Sequence, residues 1–163
     1  MKNEQPYRIP VFIRILFILS LSYTGVGILS MLMSFIRGPL SGVEVEKSIS
    51  DMYDLLTANG AATVNDVIYK MIEMPKYTNA NFAVDKLINI IGYAVGFLSI
   101  GMMMKRNQKG LHYYIIYNLV ITLSVYASAP PSAVPWQYVA FNFLFATFFV
   151  FLYYRNIPWI REE

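Results

Sequence analysis

The sequence predicts an all-α membrane protein: a four-helix transmembrane bundle with two short amphipathic helices in the outer loop between spans one and two. Three observations predict it. Apolar side chains make up 56% of the 163 residues and charged ones only 14%, where a soluble domain carries about 25% charged residues. The mean hydropathy is +0.46, and a water-soluble chain this short cannot enclose so much apolar surface, because small domains keep much of it exposed. Charge is also gathered into clusters that separate long uncharged stretches.

Those stretches define the spans, at residues 11–36, 87–104, 111–129 and 136–154. A hydrocarbon layer about 30 Å thick takes roughly 20 helical residues. Their apolar character is continuous, without the alternation of a membrane barrel strand, and a lone strand would leave its backbone unpaired in lipid. The first stretch has a basic start, like a signal peptide. Its apolar run exceeds the usual core of about 7–15 residues and no small-x-small cleavage site follows, so an uncleaved span is expected. Residues 1–163 then form one integral membrane domain, with an outer segment at 37–86.

Orientation follows from the basic residues. Lys2, Arg8 and Arg14 precede or open span one, Lys105, Arg106 and Lys109 lie between spans two and three, and Arg155 and Arg161 follow span four. The loop at 130–135 is uncharged, and the outer segment carries seven acidic residues against five basic ones. An excess of Lys and Arg marks the cytoplasmic side. Both termini are therefore expected there, in a bacterial inner membrane. Tyr113, Tyr114, Trp136, Tyr153, Tyr154 and Trp159 sit near span ends, where amphipathic rings prefer the headgroup level.

In the outer segment, Val45, Ile49, Met52, Tyr53 and Leu56 recur at helical spacing up to a stop at Asn59-Gly60. A second apolar stripe, Val64, Val67, Ile68, Met71 and Ile72, follows a capping box from Thr63 to Asp66 and is expected to end at Pro75. These helices either cap the bundle and bilayer surface or offer a docking surface.

Within the spans, Asn89, Gly92, Gly96 and Ser99 share one face of span two, and Ser20, Thr24 and Gly27 share one face of span one. Small residues let helices approach closely in lipid, where burial from water contributes nothing. The two faces are expected to meet. Asn89 and Asn142 are expected to bond each other near the outer surface, with Asn118 making an inner contact. Arg14, the one charge within a span, lies a turn from the inner end and is expected to extend to the headgroups. His112 reads as an interfacial side chain.

The chemistry-bearing patterns are missing from the sequence. There are no cysteines, which excludes disulfides, thiolate metal sites and cysteine nucleophiles. No paired carboxylates, metal-ligand spacing, phosphate loop or nucleophile elbow occurs, and the expected spans hold no acidic residue. Neither an enzyme nor a cofactor is expected. The pI near 9.0 reflects basic residues beside apolar runs, and membrane orientation accounts for them better than nucleic acid does.

The opening Arg8-Ile-Pro-Val-Phe-Ile-Arg-Ile-Leu-Phe-Ile-Leu-Ser, followed by Thr24-Gly25-Val26-Gly27 and later by Lys109-Gly110-Leu111-His112-Tyr113, resembles small uncharacterised four-span bacterial membrane proteins. The resemblance implies the four-span architecture and no activity. The expected role is a non-catalytic accessory or structural subunit of a larger membrane complex, in contact with membrane lipids and other membrane protein subunits. The rival is a small transporter or channel component, acting as an oligomer with Arg14, Asn89, Asn118 and Asn142 along its path.

Overall fold

The computed structural model describes residues 9–58 and 65–160, and all regular structure among them is helical. Helix α1 (Val11–Arg37) follows Pro10 and ends at Gly38, whose positive φ of 84° and N–H bond to the Ser34 carbonyl stop it ahead of Pro39. Glycine takes that backbone conformation without a Cβ clash. Next come α2 (Gly42–Ala58) and α3 (Asp66–Ala80), then α4 (Phe82–Met104), α5 (Lys109–Leu123), the short α6 (Val125–Ser128), α7 (Trp136–Arg155) and a terminal turn α8 (Ile157–Ile160).

Three helices, α1, α4 and α7, are long and apolar enough to cross a membrane. At 1.5 Å per residue they measure about 40, 34 and 30 Å, matching the hydrocarbon thickness. The expected third span, 111–129, is divided. Helix α5 has 15 residues and α6 four, with a turn at Ser124 between them, although Ser124 keeps helical dihedrals. Its hydroxyl donates to the Ile121 carbonyl at 2.9 Å, and the Ala127 N–H bonds the Ser124 carbonyl in a tightened turn. Serine back-bonding of this kind competes with the helical ladder and bends it. The continuous helix expected over 111–129 is thus divided in two.

The helices alternate in direction along the chain, so the start of α1, the end of α4, the start of α5 and the end of α7 come together. Ile13, Leu16, Phe17, Ile100, Met103, Leu111, Tyr114, Tyr117, Tyr153 and Ile160 form the main core there. Tyr114 and Tyr153 belong to this core, whereas Tyr113 and Tyr154 are exposed. The expectation that all four are boundary residues is thus corrected for the inward pair. A string of ring contacts joins the helices, from Tyr23 (α1) through Tyr93 (α4) to Tyr117 and Tyr114 (α5), then Tyr153 (α7) and back to Phe17, at centroid distances of 5.0 to 6.1 Å.

The α4–α5 turn closes as a Schellman motif: the Asn107 N–H reaches the Met102 carbonyl, and the Arg106 N–H the Met103 carbonyl. Arg106 takes the left-handed position at φ 60°, where glycine is the usual residue. Helix α5 then runs back against α4 at very close range. A methyl group on Gly110 would lie 2.6 Å from the Ser99 carbonyl oxygen and 2.8 Å from the Met103 backbone nitrogen.

The outer helices depart from expectation at both ends of α3. Thr63 lies outside the described residues, and the helix is capped by Asn65, whose side chain accepts from the Ile68 N–H at 3.0 Å. Pro75 does not end α3, which continues to Ala80. A reciprocal capping box stands instead at the start of α2. The Glu44 carboxylate accepts from the Ser41 N–H and hydroxyl, and the Glu44 N–H donates to the Ser41 hydroxyl. Those bonds, the hydroxyl's first, hold the Glu44 carboxyl below its ordinary pKa. Helices α2 and α3 bury Val45, Ile49 and Ile72 between them. Met74 of α3 packs against Val125, Ala129 and Val134, which seats the pair over the end of the bundle where α4 and α7 begin.

Because the α4–α5 contact at Gly110 is with backbone, it has no side chain to yield. Gly110→Ala is expected to destabilise the fold by about 1–3 kcal/mol. Gly92→Ala meets the end of the Ile121 side chain, which can rotate, and is expected to cost less. Unfolding of both variants by SDS in mixed micelles checks the order, and equal losses would refute it.

Candidate functional site

The residues singled out from the sequence fall into two groups. The face Asn89, Gly92, Gly96 and Ser99 turns toward α5 and not toward α1, which corrects the expected pairing. A methyl on Gly92 would meet Ile121 at 2.7 Å, and one on Gly96 would meet the Tyr117 ring at 2.7 Å. Gly27 of α1 instead receives the Tyr93 ring, 2.6 Å from where its methyl would be. The reason is that α4 is central. It has helices on two sides, and periodicity identifies a small face without saying which neighbour takes it.

Helix α4 begins five residues before the expected span and so carries Asp85 and Lys86 in its first turns. The helix thus reaches beyond the uncharged stretch 87–104 from which the span was counted. Asp85 is buried, with its carboxylate 2.8 Å from the Lys86 ammonium and 3.3 Å from the Ser128 hydroxyl, which donates to it. Asn89 donates to the Asp85 carbonyl at 2.8 Å and accepts from the Ser124 hydroxyl at 3.3 Å. The Asn81 amide donates to the Ser128 carbonyl at 2.8 Å. Each polar group bridges the start of α4 to the bend and end of α6. A carboxylate in the first turn of a helix also meets the positive end of its dipole. This cluster is a joint.

The expected Asn89–Asn142 bond is not formed. Asn142 and Asn118 lie instead on a cleft of about 470 Å³ between α1, α5 and α7. Ser20 and Thr24 also line it, so four of the residues chosen from the sequence converge there. Leu19, Tyr23, Ile121, Phe141, Phe145 and Phe149 supply most of its apolar wall. At the floor, the Tyr153 hydroxyl donates to the Ser20 hydroxyl at 2.9 Å, and the Tyr114 hydroxyl stands 3.5 Å from the same oxygen. Below that level Phe17 and Tyr153 are almost fully buried. The cleft is blind at that end.

The two asparagines are half satisfied. Asn118 donates through Nδ2 to the Tyr114 carbonyl, and Asn142 to the Tyr138 carbonyl, each at 2.8 Å within its own helix. Side-chain hydrogen bonds also link Asn118 to the Tyr114 hydroxyl and Asn142 to the Tyr138 hydroxyl, and among the described residues neither Oδ1 accepts from a group on another helix. Thr24 turns its hydroxyl to the Ser20 carbonyl at 2.8 Å. Counting at 1.5 Å per residue, Asn118 is about 14 Å from the start of α5 and Asn142 about 9 Å from the start of α7. The open acceptors thus sit between the middle of the bundle and the end where α7 begins. Sequence reasoning found these amides but not the cleft, because its wall comes from an α7 that leans on α5 without closing against α1.

Arg14 is exposed, with its guanidinium turned back toward the Ile9 carbonyl at 3.5 Å. His112 lies on the surface near Tyr154 and Arg155. Neither approaches the cleft lining. Comparison with protein-family models, with curated proteins and with solved structures found no match to this chain.

Removing the carboxylate from the α4–α6 joint leaves Lys86 partly buried without its counter-charge. Asp85→Ala is expected to cost about 3 kcal/mol, since breaking one side of a buried ion pair is worse than deleting both. The double variant Asp85→Ala/Lys86→Met is expected to recover part of that loss. An SDS unfolding series measures both, and a double variant as unstable as the sum of the singles would overturn the account.

Proposed function

We propose that the chain is a non-catalytic, four-span integral membrane protein that serves as an accessory subunit of a larger membrane assembly, its own contribution being to hold a lipophilic molecule in the cleft between α1, α5 and α7. The observation that carries this reading is the pair of open amide carbonyls, Asn118 Oδ1 and Asn142 Oδ1, on a recess bounded by apolar side chains. Polar groups in lipid are costly unless paired, and a pocket of a few hundred Å³ with few polar groups among apolar walls is the ordinary form of a small-molecule site.

Four spans follow from counting α5, Ser124 and α6 as one bent crossing of 20 residues, from Lys109 to Ser128. Lys105, Arg106, Lys109 and Arg155 then share the end where α1 begins, and the positive-inside rule assigns that end, and both termini, to the cytoplasm of a bacterial inner membrane. Support for the subunit role comes from α7. Only 6% of its apolar stretch is buried, and Phe143, Leu144, Phe148 and Phe151 lie exposed along it, a broad flank for lipid or for the helix of another subunit. The transporter reading is weaker, because Phe17, Tyr114 and Tyr153 fill the space beneath the cleft.

Two measurements test the proposal. A reporter fused after Glu163 that is active only in the cytoplasm is expected, and activity confined to the exterior would reverse the topology. A tagged chain extracted from native membranes in mild detergent is expected to bring down a stoichiometric membrane partner. Migration as the chain alone, after cross-linking in the membrane has also yielded no adduct, would remove the subunit role.

A further inference from the structure

Resting on the cleft reading above, we infer that the molecule held there is a neutral lipophile bearing a hydroxyl group partway along its apolar body, with that hydroxyl bound by the Asn118 or Asn142 amide. Each amide spends one Nδ2 hydrogen on its own helix. The amide also bonds the hydroxyl of the tyrosine four residues earlier, Tyr114 for Asn118 and Tyr138 for Asn142. What remains is the Oδ1 acceptor. A ketone or ether accepts but does not donate, and so leaves Oδ1 unpaired. A hydroxyl donates to it.

Depth narrows the class further. The amides lie between mid-depth and the outer third of the helices, where the charged headgroup of a phospholipid would have to leave water at high cost. A lone hydroxyl costs far less, and its loss of water is offset by the bond to Oδ1. The apolar wall of Leu19, Ile121, Phe141, Phe145 and Phe149 then takes the hydrocarbon on either side. The floor at Ser20 is occupied by Tyr153 and Tyr114, so the ligand's polar group is held above it.

The probe is a long-chain secondary alcohol with its hydroxyl at mid-chain and a photoactivatable diazirine. Its methyl ether is the control, with each compound added to the full chain in phosphatidylcholine vesicles. Labelled peptides are mapped by mass spectrometry. The alcohol is expected to mark the cleft residues of α5 and α7 about fivefold more than the ether, the worth of one net hydrogen bond. Asn118→Leu/Asn142→Leu is expected to bring the alcohol down to the ether's level. Equal labelling of the cleft by alcohol and ether in the unmodified chain would overturn the hydroxyl preference while leaving a lipophile site. Labelling no stronger in the cleft than at Phe143, Leu144 and Phe148 on the outer face of α7 would overturn the site itself. Both comparisons are made without substitution, so a misfolded variant does not blunt them.

Discussion

The backbone contact between α4 and α5 is the constraint on which the rest of the arrangement depends. In lipid there is no gain from hiding apolar surface from water, so helices associate through close packing and a few hydrogen bonds. Gly110 against the Ser99 carbonyl brings the two backbones together at the inner end. Gly92 and Gly96 keep the axes close further along, with Ile121 and Tyr117 lying in the space that side chains on those glycines would fill. The Schellman turn through Arg106 sets the angle at which α5 leaves α4. With this pair fixed, α1 and α7 have defined surfaces to pack on.

They pack differently. Helix α1 lies along α4, with Tyr93 seated over Gly27 and Phe35 stacked on Phe82 at the outer end. Helix α7 is fastened to α1 mainly toward its inner end, where Tyr153 reaches Ser20 and lies between Phe17 and Tyr114. Above that joint the large rings of α7 hold it away from α1, and the cleft is the space that results. The outer side is closed by other means. Asp85, Asn89, Ser124 and Ser128 tie the bend of α6 to α4, and α3 sits over them. A rigid floor and a tied roof leave the opening between α1 and α7 as the part of the bundle least fixed by contacts.

How far the sequence foretold this depends on what each signal measures. Uncharged length located α1, α4 and α7 because hydrocarbon thickness sets it directly. Small residues at helical spacing marked the close face of α4, but spacing cannot name the neighbour, and the face went to α5. The bend at Ser124 was hidden because an apolar run continues through it, while its cause is a hydroxyl that bonds its own backbone. Asp85 lay outside the counted span because a hydropathy boundary falls where charge begins, whereas a helix continues as long as its backbone bonds and side-chain partners allow. Tyr114 and Tyr153 read as boundary rings by position, and only the packing of four helices shows them turned inward.

Asn89, Asn118 and Asn142 separate a structural use from an open one. All three send Nδ2 to the carbonyl four residues earlier, so their amides are held in similar fashion. Asn89 also pairs across the helix interface, where the Ser124 hydroxyl shares its hydrogen between the Ile121 carbonyl and the Asn89 Oδ1. That is what interhelical glue requires: both sides of the amide engaged and two helices joined. Asn118 and Asn142 lack the second half, although serine, threonine and tyrosine hydroxyls line the same cleft. Thr24 bonds its own helix and Tyr153 bonds Ser20, while the Tyr114 hydroxyl meets Asn118 on the same helix. An amide bonded only within its own helix, with its carbonyl oxygen open toward a cleft, joins no second helix, and that difference from Asn89 is what the proposed site rests on.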